Sequence, residues 1–148
     1  MSGSTTASGG ERFEARCLCG AVRFSAAALA PETGVCHCRM CQRWTAGPFF
    51  AVHCGDSVEF EAGSELEVFA SSDWAERGFC RKCGTSLFWN LRGKSDYHVS
   101  LAAIEGDPDL AFTTEIFIDE KPETYAFAND TRKLTGAEAI ALFTGGQE

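Results

Sequence analysis

The sequence has no apolar run that approaches the ~18 residues a membrane-spanning helix needs. Its first residues also lack the charged segment and apolar run of a secretory signal. Basic residues are scarce: 13 Lys and Arg stand against 21 Asp and Glu, for a net charge of −8. Nucleic acids and anionic membranes bind to basic faces, so both are excluded as main partners. We therefore expect a cytoplasmic protein.

The composition is typical of a globular protein rich in strands. The chain has 148 residues, of which 45% are hydrophobic and 23% are charged, enough for one domain whose core needs no disulfides. Twelve phenylalanines and fifteen glycines favour strands joined by turns. Residues 1–10 are small and polar and are predicted to form a disordered tail. We assign residues 11–148 to a single domain.

Alternating apolar and polar residues predict a mainly β fold. Strands are predicted over residues 13–16, 21–25, 49–53, 57–61, 66–70, 87–89, 97–101 and 115–118. The segments 57–61 and 66–70 each alternate apolar with acidic or small residues, and they are expected to pair as a hairpin with one solvated face. Thr135 and Glu138 have the spacing of a capping box, which predicts a short C-terminal helix.

Two short cysteine pairs predict a structural metal site. Cys17 and Cys19 form a Cys-x-Cys pair, Cys80 and Cys83 form a Cys-x-x-Cys pair, and a glycine follows each pair. Four thiolates close a tetrahedral zinc site and leave no vacancy. The alternative is a set of reduced cysteines without metal. Cys54 has no partner at chelating spacing and is interpreted as a buried apolar residue.

Three further cysteines, Cys36, Cys38 and Cys41, lie within six residues and are the candidate catalytic metal ligands. A tetrahedral zinc held by three protein ligands keeps one position open, where chemistry can take place. A fourth protein ligand would fill this position and make the site structural. Four side chains could supply it: His37, His53, His98 and Cys54. For His37 we favour a supporting or substrate-binding role over ligation, because its side chain is expected to point away from a metal shared by its neighbours.

A zinc ion with an open position can hold a thiol as thiolate or polarise an aldehyde oxygen, and both acts favour making or breaking a carbon–sulfur bond. Because three thiolates weaken the Lewis acidity of the metal, we favour thiol activation. The positive residues Arg39, Arg43 and Arg77 are candidates to bind the carboxylates of an acidic thiol. The alternative is that each is an ordinary surface arginine.

Three segments together resemble the glutathione-dependent formaldehyde-activating enzyme family, which includes centromere protein V-like proteins. They are Cys17–Phe24, Cys36–Cys41 and Arg77–Phe88, and the likeness extends from about Arg12 to Tyr125. The resemblance implies a β-tent-like, mainly antiparallel fold with two zinc ions. It also implies an activity: addition of glutathione to formaldehyde, which yields S-(hydroxymethyl)glutathione and is classed as a carbon–sulfur lyase reaction.

The resemblance further implies the division of the ligands. Cys17, Cys19, Cys80 and Cys83 would hold the structural zinc, and the three clustered cysteines would hold the zinc that meets glutathione. Many relatives carry a tryptophan a few residues beyond a lysine and a proline, where this chain has Tyr125.

Two rival interpretations belong to other classes of protein. The first is a non-catalytic zinc module that binds a thiol or a protein partner. The second is a chromatin or microtubule role, which would need a basic tail that residues 1–10 do not supply. An exposed sheet edge leaves a homodimer open.

Overall fold

Strands dominate the computed structural model of the protein, which describes residues 11–145. The strands are β1 (Arg12–Arg16), β2 (Arg23–Ala27), β3 (Glu32–Cys36), β4 (Phe49–Gly55), β5 (Glu59–Phe60), β6 (Leu66–Ala70), β7 (Ala75–Cys80), β8 (Ser86–Leu91), β9 (Tyr97–Ser100), β10 (Ala111–Ile116) and β11 (Arg132–Leu134), and the helices are α1 (Arg39–Thr45) and α2 (Gly136–Gly145). The mainly β fold with a C-terminal helix is confirmed. The predicted tail, residues 1–10, lies outside the described part of the chain. No helix between residues 11 and 145 has the length and apolar character to cross a bilayer.

The described chain groups into two compact units that are interleaved in sequence. The first unit contains residues 11–32 and 51–110, and the second contains residues 33–50 and 111–145. The chain therefore enters each unit twice, and strand β4 begins in the second unit and continues in the first.

Antiparallel strands build the first unit. One group has the order β1-β2-β5, and another has the order β4-β9-β8-β7-β6. Val99 on β9 lies opposite Val52 on one side and Phe88 on the other, and all three side chains are buried. Val22 and Phe24 are buried in the same core, as their alternation predicts. Burial of these apolar side chains is the main force that holds the strands together.

The predicted hairpin of residues 57–61 and 66–70 is wrong. Glu59–Phe60 pairs with β2, whereas Leu66–Ala70 pairs with β7. Both segments contain a strand, but each strand finds its partner elsewhere in the chain. The alternation in sequence shows which segments are extended, and it does not show which strand lies beside them.

Cys54 is completely buried in the apolar core of the first unit. Its burial raises the pKa of the thiol to about 12. A thiol held neutral among apolar side chains behaves as a small hydrophobic residue. The interpretation of Cys54 as a buried apolar residue is confirmed.

The second unit contains β3, β10, β11 and both helices. Its strands have the order β11-β10-β3, and β10 and β11 run parallel, an exception to the antiparallel pattern. The capping box of α2 is present: Thr135 Oγ1 accepts from the Glu138 N–H at 3.1 Å, and a Glu138 carboxylate oxygen accepts from the Thr135 N–H at 2.8 Å. These reciprocal bonds satisfy donors that the start of a helix otherwise leaves unpaired.

Candidate metal centres

Four sulfur atoms converge in the first unit, those of Cys17, Cys19, Cys80 and Cys83, and all lie within 4.8 Å of one another. The Cys19 sulfur is 3.7 Å from that of Cys17 and 3.8 Å from that of Cys80. A tetrahedral site with metal–sulfur bonds of about 2.3 Å has sulfur–sulfur edges of about 3.8 Å. The four side chains therefore fit a zinc ion in both number and spacing.

Glycine allows the turn that follows each cysteine pair. Gly20 has φ +83° and Gly84 has φ +82°, values that side chains with a β-carbon rarely adopt. The turns direct backbone N–H groups at sulfur: the Val22 N–H donates to Cys17 Sγ at 3.2 Å, and the Cys83 N–H donates to Cys80 Sγ at 3.4 Å. Hydrogen bonds of this kind stabilise a sulfur that carries negative charge.

Thr85 joins the two turns, a role that the sequence analysis missed. Its hydroxyl oxygen accepts from the Leu18 N–H at 3.0 Å and lies 3.1 Å from Cys83 Sγ. This hydroxyl contact is the main cause that lowers the pKa of Cys83, to about 5.

Burial opposes ionisation of Cys17, but the bond from the Val22 N–H and those with neighbouring thiols lower its pKa. At Cys19 the bond from the Ala21 backbone is outweighed by burial and the neighbouring thiols, which raise its pKa to about 11. Metal binding requires thiolates, so the shifts at Cys17 and Cys83 favour it and the shift at Cys19 opposes it.

A second cluster, formed by Cys36, Cys38 and Cys41, lies in the second unit, with all three sulfurs within 4.8 Å of one another. Cys36 ends strand β3, and Cys38 is the N-cap of helix α1, where its sulfur accepts from the Cys41 N–H at 3.3 Å. The sequence analysis did not predict this helix. The cap geometry brings the N-cap and third helical side chains together, which explains the spacing of the last two cysteines.

The second cluster contains three ligands. Among residues 11–145, no fourth His, Cys, Asp or Glu side chain joins the group. Hydrogen bonding with Cys38 and Cys41 is the main cause that raises the pKa of the Cys36 thiol, with burial adding to it. The Cys36 thiol therefore resists ionisation, and a bound cation would reverse this resistance. The donor set fits a zinc ion with one position left for another molecule.

His37 lies between two of these cysteines, and its side chain is directed into a buried hydrogen-bond network. The ring is fully buried, with Nε2 at 2.8 Å from Glu115 Oε1 and Nδ1 at 2.8 Å from the Tyr125 hydroxyl. The His37 N–H also donates to the Ile116 carbonyl at 3.0 Å. Both ring nitrogens thus bind other side chains.

Glu115 is the buried acid of this network, with 1% of its surface exposed. Its second carboxylate oxygen accepts from the Thr131 hydroxyl at 2.6 Å, and Lys133 Nζ lies 3.8 Å from the same oxygen. Burial would raise the pKa of Glu115, but the bonds from Thr131 and His37 outweigh it and lower the pKa. The sequence analysis identified Glu115 only as a strand residue, since its partners lie far away in the chain.

Tyr125 is half-buried on the loop between β10 and β11. Its backbone carbonyl accepts from the Lys121 ammonium, whose Nζ also lies 4.9 Å from the centre of the tyrosine ring. Phe127 packs beside it, with ring centres 5.7 Å apart, and contacts Phe50 and Phe112 in turn. Burial raises the pKa of the Tyr125 hydroxyl, and the negative charge of Glu115 adds to the rise.

The remaining predicted binding residues are split between the units. Arg39 and Arg43 are exposed on helix α1 beside the second cluster, and Arg77 is buried on β7 in the first unit.

Gln42, which the sequence analysis did not select, donates to the His37 carbonyl at 2.6 Å and to the Glu120 carbonyl at 3.0 Å. It ties helix α1 to the segment that follows β10.

Comparison with known proteins gives three findings. A family model described as glutathione-dependent formaldehyde-activating enzyme matches residues 12–120. A protein of Schizosaccharomyces pombe named an uncharacterized lyase is 34% identical over 129 residues, which cover 86% of this chain and 94% of the relative. A crystal structure of a Rhodobacter sphaeroides protein aligns with TM-score 0.55 and 23% identity, over 68% of this chain and 99% of the other, which shows a shared fold.

Proposed function

The chain belongs to the glutathione-dependent formaldehyde-activating enzyme family, and we propose that it is a zinc-dependent carbon–sulfur lyase. The resemblance drawn from the sequence is thereby confirmed at the level of the family. The reaction we propose joins a glutathione-like thiol to formaldehyde or a related small aldehyde, as in S-(hydroxymethyl)glutathione synthesis. The observation that carries the proposal is the convergence of three sulfurs, from Cys36, Cys38 and Cys41, without a fourth protein ligand among the described residues.

We propose different roles for the two clusters. Cys17, Cys19, Cys80 and Cys83 would hold a structural zinc, and Cys36, Cys38 and Cys41 would hold a zinc at the reactive site. When bound at the reactive site, zinc supplies a place where an incoming thiol is held as a nucleophilic thiolate. Thiol ligands of this kind stay reduced in the cytoplasm, where we place the activity.

The protein's own residues would bind and orient the thiol. Arg39 and Arg43 are exposed beside the cluster and offer positive charge to its carboxylates. His37 would support the site through its hydrogen bonds to Glu115 and Tyr125. Because thiols add to formaldehyde unaided, much of the acceleration would come from holding the two reactants together.

Metal content and glutathione binding test the division of roles. We expect two zinc ions per chain in the native protein and one in a triple variant with Cys36, Cys38 and Cys41 replaced by alanine. The triple variant should keep its fold, measured by circular dichroism, and lose glutathione binding, measured by calorimetry. A variant that unfolds, or a native protein with one zinc and no glutathione affinity, would contradict the reactive site.

Turnover of the Cys38→Ala variant separates an enzyme from a binding module. An enzyme should lose catalysed addition in this variant while its fold persists. Cys54→Ala is the matched control, because Cys54 is a cysteine buried outside both clusters. If native protein binds glutathione and does not accelerate addition, the chain is a non-catalytic module that binds a thiol or a protein partner.

A further inference from the structure

The three cysteines of the second cluster stand on two different elements. Cys36 ends strand β3, whereas Cys38 is the cap of helix α1 and Cys41 lies in its first turn. The distances among the three sulfurs therefore depend on how the helix is oriented relative to the strand. The backbone of His37 and Arg39, the residues on either side of Cys38, sets this orientation.

The side chain of Gln42 reaches back from α1 to this backbone. Its Nε2 donates to the His37 carbonyl at 2.6 Å and to the Glu120 carbonyl at 3.0 Å. Carbonyl oxygens only accept, so both hydrogens of the amide nitrogen are used. The His37 N–H donates in turn to the Ile116 carbonyl at 3.0 Å. Both backbone polar groups of the residue between the first two cysteines are thus held in place.

The carboxylate of Glu120 holds the other side of Cys38. Its Oε1 accepts from the Arg39 N–H at 2.8 Å, across 81 positions of the chain. Arg39 is the first residue of α1, where a backbone N–H has no partner within the helix. A carboxylate from a distant segment therefore satisfies the start of the helix that carries two of the cysteines.

We propose that Gln42 and Glu120 form a clamp that fixes the three cysteines in the geometry of a metal site. Both are positioning residues for the zinc of the second cluster, because they act through the backbone next to its ligands. Side chains that orient metal ligands in this way contribute to metal affinity. A site with three protein ligands depends on them strongly, since it lacks a fourth ligand to restrict the other three. The inference rests on the proposed function, which assigns zinc to this cluster.

The segment that carries Glu120 is itself anchored to helix α2. Phe117 has φ +56°, a left-handed conformation that a bulky residue rarely adopts. Its ring packs against Gly136, with a ring atom 2.6 Å from the place where a β-carbon would stand. The Asp119 carboxylate accepts from the Gly136 N–H at 2.8 Å. Contacts of this kind are what allow an unfavourable backbone conformation to persist, so Glu120 is presented to α1 by a fixed turn.

Competition with a chromogenic chelator tests the clamp without turnover. The native protein should yield zinc in two steps, and the step that is missing in the Cys36/Cys38/Cys41 triple-alanine variant belongs to the second cluster. Gln42→Met removes both donated hydrogen bonds and keeps the length of the side chain. We expect it to weaken zinc binding at the second cluster by about 10- to 100-fold. Zinc binding at the other cluster should change by less than about twofold, as for independent sites.

Two substitutions of Glu120 separate the clamp from a general loss of packing. Glu120→Ala removes the oxygen that accepts from the Arg39 N–H and should also weaken zinc binding at the second cluster. Glu120→Gln keeps an accepting oxygen and should restore the native affinity. Thr45→Val is the control on the same helix, because it removes a hydroxyl that donates to the Cys41 carbonyl at 2.9 Å and does not contact Glu120. It should leave both affinities unchanged.

The outcomes distinguish the clamp from the proposed function. Native zinc affinity of the second cluster in Gln42→Met would overturn the clamp and leave the proposed function standing. Equal weakening of both clusters, or the same weakening in Thr45→Val, would show a merely structural role and overturn the clamp as well. A native protein that binds no zinc at the second cluster would remove the proposed function and the clamp together.

Discussion

Gly78 on β7 packs directly beneath the ring of Phe88 on β8, in a place where a β-carbon would overlap the ring atoms. Phe88 is buried in the core of the first unit, among other packed apolar side chains. Gly78→Ala is therefore expected to lower the free energy of unfolding by about 1–3 kcal/mol, the usual result of overpacking. Urea unfolding measures the difference.

The control for this substitution is Gly47→Ala. A β-carbon on Gly47 would meet nothing within 4 Å, and its φ is not in the left-handed region. Its stability should change by less than about 0.5 kcal/mol. Equal losses in the two variants would contradict the packing argument.

The capping box predicts a difference between two substitutions at the start of α2. Thr135→Ala removes the oxygen that accepts from the Glu138 N–H and should cost about 1 kcal/mol of stability. Glu138→Gln keeps an oxygen able to accept from the Thr135 N–H, so it should cost much less. Thermal unfolding of both variants checks the order, and a larger loss for Glu138→Gln would refute it.

Two buried cysteines of the first unit should respond differently to replacement by alanine. Cys80→Ala removes a sulfur from the four-sulfur group, so we expect the loss of one zinc and of cooperative unfolding. Cys54→Ala removes an equally buried sulfur outside both groups and should keep the metal content, at a cost of about 1 kcal/mol. Elemental analysis and circular dichroism distinguish them. Similar metal content in the two variants would argue against the structural site.

His98 predicts a fall in stability at mildly acidic pH. Burial, with a contribution from the charge of the stacked His53, lowers the pKa of His98 to about 4 from 6.5, against the opposing effect of Asp96. Between these values the unfolded chain binds a proton that the folded chain does not. Stability should therefore decrease as the pH falls through this interval, by at most about 1.4 kcal/mol per pH unit.

Removing the imidazole tests this origin of the pH dependence. His98→Gln should flatten the slope of unfolding free energy against pH above 5, where the carboxylates are still ionised. His53→Gln should keep most of the slope, because burial is the larger cause of the shift at His98. An unchanged slope in His98→Gln would assign the effect to other groups.

Features that depend on neighbouring residues could be predicted from the sequence. The capping box of Thr135 and Glu138, the glycine turns after both cysteine pairs and the burial of Cys54 each follow from local chemistry. The two cysteine groups could also be separated, because chelating spacing is itself local. These predictions required no knowledge of which strands pair.

Features that depend on distant contacts could not be predicted. The partner of Glu59–Phe60 is β2 and not the adjacent segment, because pairing follows core packing and not proximity in sequence. Glu115 gives no local sign of its role, since it meets His37 across 78 positions of the chain. Helix α1 was missed because its seven residues are too few for a periodic pattern, and its start depends on a cysteine acting as the cap.

The interleaved path of the chain has a consequence for biosynthesis. No single cut in the polypeptide would release either unit as a continuous fragment. On the ribosome, Cys19 is made 61 positions before Cys80, whose sulfur lies 3.8 Å away in the folded protein. At about 5–20 residues per second, the first two ligands of that group wait roughly 3–12 seconds for the others. During that interval the nascent chain presents these two thiols, joined in turn by those of Cys36, Cys38, Cys41 and Cys54, to whatever metal or oxidant surrounds it.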